Sequence, residues 1–368
     1  MGYSIANTVL DARFMMEAYR ERNNSSLPTN PVLQHFDAAT ENAFGDTFEV
    51  KIYPATSQPA PTNRLNNPAK VLTEIGGQRR YYTPITAFNE MYLDAQTLMY
   101  LEQDSNPAYQ EMGREELNRQ IDYFKQRHTL LRMLGLSKAL FGGQIFRDVD
   151  GTITETASTG PTVDLGVPAS RKSQLNVLGG NIISTAWDVA SAKILTHIDQ
   201  IKIAAEELGV EPPTDIWLHS TAKRWLRDND EIRAYFQNKQ LDPDPILTGS
   251  MYPNLGGLNW HFFDGSYTDS TGTQRPLFPK TMAALTPPVT RGGWFRAMNG
   301  STRVRTSGSG DRFAADASSI TGGAEIVYGD FFYAKEVDNP DTIVIRGGTK
   351  FLYAFANPNA IWMPTVDF

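Results

Sequence analysis

Cysteine is absent from this 368-residue sequence. That excludes disulfide scaffolds, thiolate zinc sites, iron–sulfur clusters and cysteine nucleophiles. Histidine is scarce: the five are His35, His128, His197, His219 and His261, none in an HExxH or HxH pair, so no histidine-rich metal site is expected. Basic charge is in deficit. A net charge of −7 argues against a protein that works by neutralising phosphates. No run of about 18 apolar residues occurs, so no bilayer-spanning helix is expected. The N-terminus lacks the basic flank and unbroken apolar stretch of a secretory signal. Ala6 stands where a myristoylation signal opening with Met1-Gly2 requires Ser or Thr. The expectation is a soluble protein of a cytoplasm, with an intact chain beginning near Met1.

What is present reads as an α+β chain. Residues 1–45 form an arm, with a short amphipathic stretch from Val9 to Tyr19 that NNSSLPTNP (23–31) stops. Phe48 to Ile52 alternates as a half-buried strand does. PATSQPAPTNRLNNPAK, with four prolines in 17 residues, fits neither a helix nor a central strand. Gln78 to Thr83 predicts a return strand, so 46–92 reads as a two-stranded excursion without a core of its own. From Pro107 to Phe141, Leu117, Ile121, Phe124, His128, Leu131 and Leu134 step by three or four residues, one face of a long helix that Gly142-Gly143 ends. A helix of that length beside such an excursion suggests an elongated subunit rather than a compact enzyme. Further expectations are a hairpin at Gln144–Glu155, helices at 185–209 and 220–236, and strands at 216–218, 258–263 and 282–285. An exposed loop is expected at 298–323 and strands at 324–337, 342–355 and 360–366.

Candidate chemistry is thin. Asp148-Val-Asp150-Gly151-Thr152 matches the first motif of haloacid-dehalogenase-type phosphatases, in which the first Asp is the nucleophile and the second the general acid. That chemistry needs an apolar parallel strand before the Asp pair and three later motifs. Gln144-Ile-Phe-Arg147 is not such a strand, Gly329-Asp330 stands alone, and the Asp-Gly hairpin is the preferred reading. No GxxxxGK[ST], no helix-opening GxGxxG and no GxSxG occurs. Gly308-Ser-Gly310 reads as plain loop, and His128 as a packed core histidine. Trp187, Trp217, Trp225 and Trp260 read as core rather than as a stacking platform. Arg79-Arg80 followed by Tyr81-Tyr82 is the remaining signal, and contact with carboxylates of another subunit suits it at least as well as nucleic acid does. No catalytic residue, metal site or cofactor is expected.

The order of these elements resembles the plan of tailed-phage major capsid proteins, and more narrowly the lambda-type major capsid protein E family. The stretches that carry the resemblance are PAKVLTEIGGQRRYYTPI (68–85), ELNRQIDYFKQRHTLLRMLGLSKALFGGQIFRDVDGTITE (116–155), VDLGVP (163–168), ILTHIDQIKIAAEELGVEPPTDIWLHSTAKRWLRDNDEIRAYF (194–236), LNWHFFDGSYTDSTGTQRPLFPKTMAALTP (258–287) and NPNAIWMPTV (357–366). The resemblance implies the Hong Kong 97-type capsid fold. Its parts would be an N-terminal arm (1–45), an extended loop (46–92), a peripheral domain with the long spine helix (93–184), an α/β axial domain (185–320) and C-terminal strands returning to the peripheral domain (321–368).

It also implies a non-enzymatic virion protein that assembles in the host cytoplasm into hexamers and pentamers of an icosahedral shell around double-stranded DNA. The implied partners are further copies of itself, decoration, scaffold and portal proteins, and no membrane. Arg79, Arg80 and Tyr81, at an expected exposed loop tip, are the candidate intersubunit contacts. An encapsulin-type compartment shares the fold and is the alternative; a phosphatase is a remote one.

Overall fold

The computed structural model of the chain describes residues 31–52, 77–92, 107–148, 151–155, 162–177, 179–239, 255–269, 271–305, 324–338 and 341–367. The expected stretch Val9–Tyr19, the proline-rich segment and Gly308-Ser-Gly310 lie outside the described residues.

Along the chain, helix α1 (Pro31–Asp37) and strand β1 (Thr40–Ala43) precede β2 (Phe48–Ile52), whose Phe48, Val50 and Ile52 turn inward as its alternation predicts. β2 pairs with β3 (Gln78–Tyr82), and β4 (Ile85–Tyr92) follows. Helix α2 (Pro107–Ser137) opens at a proline, whose missing N–H costs nothing in a first turn. At 1.5 Å per residue its 31 residues span roughly 46 Å. It runs on into one π-turn, Lys138–Gly142, where a regular helix to Phe141 was expected; Gly143, at φ 63°, closes the turn by donating to the Ala139 carbonyl.

Short strands come next: β5 (Gln144–Arg147), β6 (Ile153–Thr154), β7 (Val163–Asp164), β8 (Lys172–Ser173), β9 (Asn176–Val177) and β10 (Gly180–Asn181). Helix α3 (Ile194–Glu207) leads to β11 (Asp215–His219), α4 (Ala222–Asp228) and α5 (Asp230–Lys239). The remainder is strand: β12 (Asn259–Phe263), β13 (Ser266–Thr268), β14 (Gln274–Pro276), β15 (Ala283–Thr286), β16 (Phe295–Arg305), β17 (Ala324–Tyr328), β18 (Asp330–Asp338), β19 (Asp341–Phe355) and β20 (Met363–Pro364). The expected loop at 298–323 is therefore strand through Arg305, because β17 supplies the pairing that Gly300-Ser-Thr-Arg303 does not advertise.

Two units emerge. The first comprises residues 1–48, 83–133 and 297–352. Its six-stranded sheet runs β1-β16-β19-β18, with β17 on β16 and β4 on β19. β18 and β19 form a long antiparallel hairpin, Asp330↔Thr349 through Asp338↔Asp341, and β4 pairs with β19 from Ile85↔Phe351 to Tyr92↔Val344. Strand β4, expected in the excursion, thus belongs to this sheet. The predicted face of α2 is buried: Leu117, Ile121, Phe124 and His128 are at most 4% exposed. One turn along, the Arg132 guanidinium pairs with Asp330 at 2.8 Å and donates to Asn299 Oδ1. Burial works against the Asp330 charge, yet Arg132, Thr349 and His128 hold its carboxyl below the ordinary carboxylate range. The buried Lys350 ammonium donates to Asp46 Oδ1 at 2.9 Å and to the Gly45 carbonyl.

The second unit comprises residues 49–82, 134–296 and 353–368. Its three-stranded sheet runs β12-β11-β15, with β11 parallel to β12 and antiparallel to β15. β11 is buried at every position, and its centre, Ile216-Trp217-Leu218, reads as a short apolar run rather than an alternation. Ile198, Ile201 and Ala205 of α3, Leu226 of α4, and Ile232 and Phe236 of α5 form one core with Trp187 and Trp260. The helix expected over 220–236 breaks at Asn229, whose Oδ1 caps α5 by accepting from the Ile232 N–H. Arg171 is buried under the Trp362 ring, 3.5 Å from its centroid, and burial pulls its pKa down to about 10.

Candidate assembly surface

β3 separates the two arginines that the sequence presents side by side. Successive strand residues point to opposite faces, so Arg80 turns inward with the buried Tyr82, while Arg79 and Tyr81 turn outward. The expectation was an exposed loop tip; the pair instead lies within a paired strand. Arg79 Nε reaches Glu49 Oε1 at 3.5 Å, with 62% of the arginine side chain exposed, a geometry that contributes little in a single chain. Tyr81 is 63% exposed.

Arg80 already has a place within its own chain. Its guanidinium lies against Gly166, at φ 76°, so closely that any side chain there would collide with it. The turn is held by the Gly166 N–H donating to Asp164 Oδ1. Burial raises the Tyr82 hydroxyl above the ordinary phenol range, and the neighbouring Arg80 opposes that rise.

The remaining candidates are structural. Asp148 accepts from the Thr152 N–H through Oδ1, and its backbone exchanges bonds with Thr152 and Gly151, so its carboxylate closes a turn. β5 is antiparallel to both β6 and β7, the opposite of the parallel strand an aspartyl phosphatase requires. His128 is 1% exposed beside Phe124. Trp187, Trp217 and Trp260 are buried, and Trp225 packs half-buried against the core that holds Trp187 and Trp260.

Sequence reading missed one network. Glu155 takes the Lys138 ammonium at 2.5 Å and the Tyr267 hydroxyl; burial opposes its charge, and these two donors hold its carboxyl below the usual range. Lys138, Glu155 and Tyr267 lie far apart in sequence, and no local spacing marks them. Among the described residues no group of three His, Asp or Glu side chains could hold a metal ion, and no helix is long and apolar enough to cross a membrane.

Arg79 and Tyr81 thus share the outward face of β3, and no catalytic cluster accompanies them among the described residues. Residues 23–366 match the family Phage major capsid protein E. The chain belongs to that family. Its members are structural capsid proteins rather than enzymes, and they build the oligomeric shell of the virion. No curated protein matches the chain.

The fold is the Hong Kong 97-type capsid fold. A prophage protein of E. coli CFT073, assigned as a capsid protein, is similar to this Phage major capsid protein E member with a TM-score of 0.54 at 13% identity, over 100% of this chain and 99% of that one. A phage-related protein of Bordetella bronchiseptica RB50 gives 0.48 at 9% identity, covering 95% of this chain and 96% of its own. The encapsulin SrpI of Synechococcus elongatus PCC 7942 gives 0.44 at 10% identity, with 95% of each chain covered.

Proposed function

We propose that this capsid protein forms hexamers and pentamers that tile an icosahedral head around double-stranded DNA, assembling in the host cytoplasm with scaffold, portal and decoration proteins. The observation that carries this reading is the family match from residue 23 to 366. In this assignment 1–45 is the arm, 46–92 the extended loop, 93–184 and 321–368 the peripheral domain around α2, and 185–320 the axial domain around β11. A heterologous contact between rotated copies closes rings and shells, and an excursion with no core of its own gains its partners there.

Within the excursion, Arg79 and Tyr81 are the contact residues: both face outward, and the arginine's exposed pair with Glu49 is weak enough to be exchanged for a carboxylate on a neighbour. Arg80 supports the loop from inside, against Gly166.

Electron microscopy and light scattering of the full chain, expressed with and without a co-expressed scaffold, test the reading. Shells, tubes or free rings are expected, whereas a monomer under both conditions would overturn it. The double variant Arg79→Glu with Tyr81→Ser is expected to lose assembly while its thermal midpoint stays near that of the native chain, as for other exposed substitutions. Normal shells from that variant would remove these two residues from the contact.

A further inference from the structure

We propose that the two ends of α3 carry the two halves of a contact between neighbouring copies: a guanidinium cluster on α4 and α5 fits a carboxylate cluster at the α3 C-terminus of the next copy. The inference deepens the reading of the chain as a ring-forming subunit and rests on it.

Three arginines surround one aspartate. Arg224, Arg227 and Arg233 stand 3.8, 3.5 and 3.6 Å from the Asp228 carboxylate, and all three side chains are more than half exposed. One negative charge leaves two positive charges uncompensated in a chain whose net charge is −7. Arg233 Nε donates to the Arg227 carbonyl at 2.9 Å, which fixes that guanidinium in place. The nearby acids have other roles. Glu231 is bound to the Leu195 N–H at 2.7 Å and the Thr196 hydroxyl at 2.6 Å, where it caps α3. Asp230 sits in the first turn of α5, the end at which a helix dipole favours a negative charge.

The opposite charge gathers at the far end of α3. Glu206, Glu207 and Glu211 are exposed, and among the described residues none of them makes an ion pair. Glu206 and Glu207 occupy the last turn of the helix, the negative end of its dipole, which holds no basic residue. Lys202, one turn earlier, spends its ammonium on the carbonyls of Gly256 and Gly257, at 2.6 and 3.3 Å. Ile203 and Leu208, 54% and 43% exposed, add apolar surface beside the carboxylates.

One chain cannot join its own clusters. Glu231 fixes α5 at the start of α3, as do the bonds from Asn229 Nδ2 to the carbonyls of Ala190 and Ala192. The glutamates lie about 11 residues further on, roughly 16 Å along the axis. Copies related by rotation meet through two different patches of the same unit, and complementary charge selects partner and register. The clusters supply such a pair.

The test uses three full-length variants: R224E/R227E/R233E, E206K/E207K/E211K, and all six substitutions together. Each triple variant is expected to lose at least tenfold in particle yield while keeping the thermal midpoint of the native chain, and the sixfold exchange to recover it. Native yield from either folded triple variant, or no recovery in a folded sixfold variant, overturns the contact. A native chain that forms no particle under any condition counts against the shell reading instead. The contact is then read by sedimentation velocity: an equimolar mixture of the two triple variants sediments faster than either alone if the patches meet, and sedimentation no faster than the separate variants overturns it.

Discussion

Two adjacent glycines decide how both faces of the first unit's sheet are built. Gly348 lies between Phe331 and Phe88 in register, and without a side chain there the two rings stack across it at 6.0 Å. On the other face Gly347 admits Phe124 of α2 against Phe332, their rings edge-on at 5.4 Å. A Cβ at Gly348 would collide with the Phe331 ring and lie 2.8 Å from the Ala87 carbonyl oxygen. Gly348→Ala is therefore expected to cost about 1–3 kcal/mol, the range for overpacked sites, read as a lowered thermal midpoint. Gly142→Ala, where a Cβ meets nothing within 4 Å, is the control and should leave the midpoint within about 0.5 kcal/mol of native stability. The sequence shows Arg346-Gly-Gly-Thr349 inside an expected strand; what the glycines do depends on Phe88 and Phe331, partners no local pattern names. The same limit governs Arg79 and Arg80. Their adjacency suggested one basic tip, whereas strand alternation, legible in Phe48–Ile52 but not applied to the return strand, sends them to opposite faces.

At the scale of elements, Asn229 does the work that helical periodicity concealed. The apolar spacing continues from Leu226 to Phe236, so one helix was expected. The asparagine, fully buried, instead adopts φ −77° and ψ 130° between α4 and α5. Its carboxamide caps α5 and donates to the carbonyls of Ala190 and Ala192 at 3.1 and 2.7 Å. Asn229→Ala removes the cap and takes the carboxamide donor from the buried Ala192 carbonyl, while the Ala190 carbonyl keeps the Asp230 N–H, a loss of about 2–3 kcal/mol. Urea denaturation is expected to show a lower midpoint with an unchanged slope; an unchanged midpoint would mean that water or a neighbouring side chain replaces the carboxamide. The elements best legible in sequence were those whose signal is local: the α2 stripe, the β2 alternation and the Asp-Gly hairpin. β16 was not. Gly300-Ser-Thr-Arg303 has the composition of a loop, and β17 and β19 on its flanks make it a strand.

Across the whole molecule, buried histidines tie stability to pH. Burial depresses the basicity of His128 in the first unit and of His197 and His219 in the second; Asp330, Glu231 and Asp264 respectively oppose that shift without reversing it. The unfolded chain protonates these rings near pH 6.5, while the folded chain resists until lower pH. Below about pH 6.5 the unfolded state therefore binds more protons, and stability falls as pH falls, by up to about 1.4 kcal/mol per pH unit for each histidine. Asp330 acts in the same direction at lower pH: its carboxyl is depressed in the folded state, so the stability it contributes is present above the unfolded carboxylate range and is lost as pH falls through its folded value. Because the histidines are divided between the two units, both are expected to weaken together, and calorimetry from pH 7.5 to 5 should show every transition moving down. His128→Asn should flatten the profile of the first unit by one proton and leave that of the second unchanged. A profile flat over this range in the native chain would mean that the rings accept protons in place, through the carboxylates beside them.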